Sequence, residues 1–153
     1  MLIVRKSAVR TAAVIVAAGV GGLAIFLLQN PASTHPIVVF SVYMQVLPLS
    51  IAEVVVCWAV IGTSFESLAK RKVSKNNNNK AISIVIGAVV ASVLFGVYDF
   101  AHSPPFNEVN MVLFLMIPAI APSVVYFIGR DIYATIIIQH FLGIFGVMQT
   151  IDL

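Results

Sequence analysis

The chain has 153 residues, of which 60% are hydrophobic and only 10% carry a formal charge, with a mean hydropathy of +1.03. Soluble domains carry roughly 25% charged residues, so this composition excludes a water-soluble globule and predicts an integral membrane protein. The formal net charge is +3, and the single cysteine, Cys57, excludes an internal disulfide.

Apolar runs recur at lengths near the ~20 residues that a helix needs to cross a ~30 Å hydrocarbon core. The alternating ten-residue pattern of a membrane barrel is missing. The predicted fold class is therefore all-α, a polytopic membrane bundle of about five transmembrane helices. Arg5, Lys6 and Arg10 precede the first run, 11–28, in the manner of a secretory signal. That run is longer than the roughly 7–15 residues of a signal core, and LQNPASTHP offers no small-x-small cleavage site. A retained span follows, with 1–30 as an N-terminal membrane-anchoring helix and 31–153 as a helical membrane core. Ala17/Gly21 and Ala18/Gly22 place small residues at i,i+4 spacing, which lets a neighbouring helix approach closely in lipid.

The second apolar stretch, 37–68, is too long for one straight perpendicular helix, and Pro48 in its middle removes a backbone donor. A kink or break near Pro48 is predicted, with a shorter helix leading into a main span of about 49–69. AKRKVSKNNNNK then forms a polar loop with Lys70, Arg71, Lys72, Lys75 and Lys80, an orientation signal beside anionic lipid headgroups rather than a nucleic-acid site. The third run, 81–101, is closed by HSPPF, whose prolines cannot continue a helix. In the fourth, 111–128, Pro118 and Pro122 free the carbonyls of Phe114 and Pro118. A tight Gly129-Arg130-Asp131 turn introduces the fifth, 132–148, in which Gly143 and Gly146 permit close packing. Eight of the nine Lys/Arg residues fall in the N-terminus and the 70–80 loop, two crossings apart, so both segments are expected to face the cytoplasm. Five crossings then place the C-terminus outside.

The apolar runs also contain Glu53, Asp99 and His140, with His102 at an edge and Glu66 near enough to the 70–80 loop to reach water. His35 in STHPI reads as an exposed loop residue, and Trp58 as a core or lipid-facing one. On insertion scales a central acidic residue costs about 2.5–3.5 kcal/mol, so it is expected to face protein and find a partner. One reading makes Glu53 interhelical glue, hydrogen-bonded to Gln45, Gln139, a histidine or a freed carbonyl. Another gathers Glu53, His102 and His140, with Asp99, into one polar pocket in which a buried glutamate serves as general base and imidazoles orient substrate or stabilise an oxyanion. The same donors suit a transition metal, although no H-E-x-x-H or paired-Cys signature is present.

The order PLSIAEVVVCWA, then YDFAH, then GRDIYATIIIQHFLGI resembles the three polar motifs of the CPBP family, the CAAX-prenyl-protease and bacteriocin-processing intramembrane proteins. That family carries E-E-x-x-x-R-G, F-x-x-x-H, and G-x-L-W-x-x-I-x-x-H-x-x-x-N. Gly129, Ile132, Tyr133, Ile136 and His140 carry the likeness to the third motif, and the resemblance covers about residues 45–150. Val54 stands for the second glutamate, Trp58 for the arginine, Ala59 for the glycine, Tyr98 for the phenylalanine and Ile144 for the last asparagine. The resemblance implies a CPBP-like core in which Glu53 activates water, His102 orients it and His140 donates to an oxyanion. It implies a glutamate-dependent intramembrane peptidase acting on a peptide, either divergent or retaining the scaffold without the chemistry. The competing class is a non-catalytic accessory or assembly subunit, partnered by other membrane-protein subunits and lipids.

Overall fold

A computed structural model describes residues 8–28, 33–73, 78–100 and 109–150. All regular structure among them is helical: α1 (Ala8–Leu28), α2 (Pro36–Glu53), a π-helix (Val54–Gly62), α3 (Thr63–Val73), α4 (Asn78–Phe100), α5 (Val109–Met116), α6 (Ile120–Phe127) and α7 (Ile132–Thr150). Three helical stretches are long and apolar enough to cross a membrane: Thr11–Leu28, Pro36–Lys72 and Lys80–Tyr98. The fourth predicted run is instead divided by a turn at 117–119 into two eight-residue helices. In α7 the described apolar stretch is the shorter Ile132–Ile144.

α1 packs on α7 through one stripe, Ala18, Gly22 and Phe26, at i,i+4,i+8. A Cβ on Gly22 would run into the Phe141 ring, whereas one on Gly21 would meet nothing. Of the two small-residue pairs in the sequence, Ala18/Gly22 therefore makes the seam, and Ala17/Gly21 lies exposed. Phe26 joins Val42, Val46 and Ile144 in a small apolar cluster where α1, α2 and α7 converge.

Of the kink or break expected near Pro48, the break does not form. Pro36 opens α2 in the first turn, where its missing N–H is not needed, and helical turns continue from there to Val73. Pro48 lies on the exposed side, while Val42, Val46, Ser50 and Glu53 face inward, so the ring obstructs no neighbour. The irregularity comes later, in the nine-residue π-helix. Its wider turn points Glu53 and Val54, and then Cys57 and Trp58, inward as adjacent pairs. There the rod changes partners: α2 packs on α7, while the π-helix and α3 pack on α4. Thr63 Oγ1 donates to the Trp58 carbonyl at 3.1 Å and helps satisfy the altered ladder.

The main core surrounds Trp58, with Val54, Cys57, Ala91, Phe95, Ala119 and Phe127. Gly62 and Gly87 allow the close approach of the rod to α4, since a Cβ on Gly87 would lie 2.9 Å from the Gly62 carbonyl and 2.8 Å from Phe127. Pro122 falls in the first turn of α6, where helices tolerate proline. The turn into α7 is as tight as the sequence predicts. Arg130 takes the left-handed conformation at φ 55°, donating its N–H to the Tyr126 carbonyl at 3.0 Å. Asp131 Oδ1 then caps α7, accepting from the backbone N–H of Tyr133 at 3.1 Å and Ala134 at 3.2 Å.

Candidate functional site

The inward stripe of α2 runs Val42, Val46, Ser50, Glu53, at helical spacing, with the more exposed Tyr43 at its edge, and α7 answers it with Gln139, His140, Gly143 and Ile144. Glu53 is 4% exposed, and its Oε2 accepts a hydrogen bond from Gln139 Nε2 at 2.7 Å. Of the partners weighed for an interhelical glue, Gln139 is therefore one that Glu53 finds. Gln45 lies exposed and turns to Ser41 Oγ of its own helix, 3.5 Å away.

His140 is 2% exposed, with its ring edge-on to Tyr43 at a centroid distance of 4.2 Å. Neither ring nitrogen makes a hydrogen bond with the described residues, so the imidazole is not bonded to Glu53. Ser50 Oγ and Gln139 Oε1 are likewise buried without a partner among the described residues. The seam thus holds Glu53 on Gln139 and sets the His140 ring against Tyr43, with no hydrogen bond from the imidazole to the carboxyl group. His102 lies outside the described residues, and Asp99 falls in the last turn of α4, its side chain also outside them. Among the described residues no three His, Cys, Asp or Glu side chains gather as metal ligands. His35, as expected, is exposed just ahead of α2.

Two further polar clusters escaped the sequence reading. Glu66, expected to reach water, has a side chain only 1% exposed. Arg130, 64 positions later, covers it with both guanidinium arms: Nη1 donates to Oε2 at 2.7 Å, and Nη2 donates to Oε1. Lys70 Nζ adds a third bond to Oε1 at 2.5 Å. Glu66 also raises the Arg130 pKa above its ordinary value, mainly through these hydrogen bonds. The second cluster is neutral. Trp58 Nε1 donates to Ser123 Oγ at 2.9 Å, and Ser92 Oγ lies 3.1 Å from the same oxygen, joining the π-helix, α4 and α6. Thr63 Oγ1 and Tyr126 OH, 3.0 Å apart, make a parallel link.

No family model matches the chain, and no curated protein or solved structure matches it.

Proposed function

We propose that the chain is a five-crossing membrane bundle on a CPBP-like scaffold that serves as a non-catalytic accessory or assembly subunit of a larger membrane complex. In this reading α5 with α6, and then α7, complete the crossings begun by α1, the Pro36–Lys72 rod and α4. The carrying observation is the state of Glu53. A general base for water must reach that water. Glu53, only 4% exposed, instead holds Gln139 at 2.7 Å between α2 and α7, and the His140 imidazole does not bond to it. The carboxyl group thus serves cohesion between α2 and α7.

Purification in a mild detergent tests this directly. The expected result is co-migration with a second membrane protein in fixed ratio, retained in the Glu53→Gln variant, in which an amide can still pair with Gln139. A solitary chain that cleaves a membrane-associated peptide, with cleavage abolished by Glu53→Gln, overturns it.

A protease-like reading draws on a different observation. Ser50 Oγ, Gln139 Oε1 and both His140 nitrogens are buried and without partners among the described residues, and such atoms suit the backbone of an inserted peptide. Under that reading His140→Ala also lowers turnover while leaving the fold intact.

A further inference from the structure

An apolar groove of about 520 Å³ runs between α4, α5 and α6. Val85 and Val89 form one rim, Leu113, Ile117 and Val124 the other, and all five are exposed. Ser92 and Ser123 lie at its floor, already hydrogen-bonded to each other, with Ser123 also taken by Trp58 Nε1, so the floor favours an apolar occupant over a polar one. We propose that this groove holds an acyl chain of an anionic phospholipid, with the headgroup drawn to the basic end of α4.

Size argues for a chain rather than a partner helix. A helix about 10 Å across occupies on the order of 400 Å³ per turn, so the groove would seat little more than one turn of a crossing helix. A flexible hydrocarbon chain fits such a volume without needing a matching partner surface, and α4 is itself apolar enough to place the groove at hydrocarbon depth.

Charge argues for the headgroup. Lys80, Ile84, Ala88 and Ser92 follow one another at i,i+4 steps on a single face of α4, so the exposed Lys80 stands one turn beyond the lining residue Ile84. Lys70, Arg71 and Lys72 are exposed in the last turn of α3, which packs against α4. The acidic groups described near that end are both buried, Glu66 under Arg130 and Lys70, and Asp131 as the cap of α7. The exposed charge there is positive.

The test uses the full chain in phosphatidylcholine nanodiscs containing a trace of phosphatidylglycerol with a photoactivatable group in its acyl chain. The matched phosphatidylcholine probe is the control, and cross-links are mapped by mass spectrometry. The anionic probe is expected to label the groove, at Val89 and Val124, about fivefold more than the zwitterionic one, the equivalent of about 1 kcal/mol for a single basic residue near the headgroup. Ala88→Trp, or Val89→Trp at the exposed rim should the first variant not fold, should bring labelling of Val124 down to that of the exposed Val16 on α1. Lys80→Gln with Lys72→Gln should remove the anionic preference while groove labelling persists. Equal labelling by the two probes, labelling no stronger than at Val16, or a polypeptide cross-linked across the groove overturns the proposal.

Discussion

A carboxyl group carried into a helix seam needs a donor there, and for Glu53 one such donor is Gln139. Replacing Gln139 with Leu keeps the volume and removes the donor. The expected cost is about 1–2 kcal/mol, read as a lower midpoint in detergent-induced unfolding. Ser123→Ala strands the Trp58 N–H in the same way and should cost about 1–3 kcal/mol. Adding Trp58→Phe to it should cost less than the two single losses summed, because the orphaned donor goes with the indole. Arg130→Ala uncovers the Glu66 carboxylate but leaves Lys70 beside it. Its expected cost in the same unfolding measurement falls at or below the low end of the ~3–5 kcal/mol for breaking a buried pair. These three sites differ in how far the sequence announces them. An acid among ten uncharged neighbours declares its need for a partner, so the pairing of Glu53 was legible down to a short list containing Gln139. A serine in an apolar helix declares nothing, since its hydroxyl can turn back on its own backbone, and Ser92 and Ser123 could not be told from Ser83, which does so. Arg130 reads first as part of a tight turn, and only the folded chain brings it over Glu66.

At the scale of whole helices, the small-residue face of α1 offers the cleanest contrast. Gly22→Leu must displace the Phe141 ring and should cost about 1–3 kcal/mol by overpacking. It should also loosen α1 from α7, detected as new protease sensitivity between the two. Gly21→Leu, one position along, meets open space and should be neutral or slightly stabilising through helix propensity. Periodicity alone could not choose between these adjacent pairs, because both have the same spacing and the choice belongs to the partner helix. Pro48 carries a related lesson. The sequence locates the lost backbone hydrogen bond, but not whether the helical turns stop there. Here the ring faces outward, and the irregularity settles in the π-helix beyond it. The Gly129-Arg130-Asp131 turn was readable because its chemistry is local: a bend followed at once by a carboxylate cap.

For the molecule as a whole, the distribution of Lys and Arg makes a testable statement about sidedness. In a Cys57→Ser background, a cysteine at Lys72 is expected to react with an impermeant maleimide only from the cytoplasmic side. One at Thr34 should react only from the opposite side, and the reverse pattern would invert the topology. The all-helical architecture followed from composition alone, whereas the number of crossings did not, because one of the five expected runs, 111–128, is divided into two short helices. The π-helix has one more consequence at this scale. An α-helix advances about 100° per residue and the wider π turn less, so a Val54–Gly62 segment of the same length wound as regular α-helix would rotate α3 against α2. With Glu53 still docked on Gln139, Glu66 would be carried away from Arg130. The widened turn acts as a phase corrector between two gears cut on one shaft, and the same number of teeth at regular pitch could engage either gear but not both.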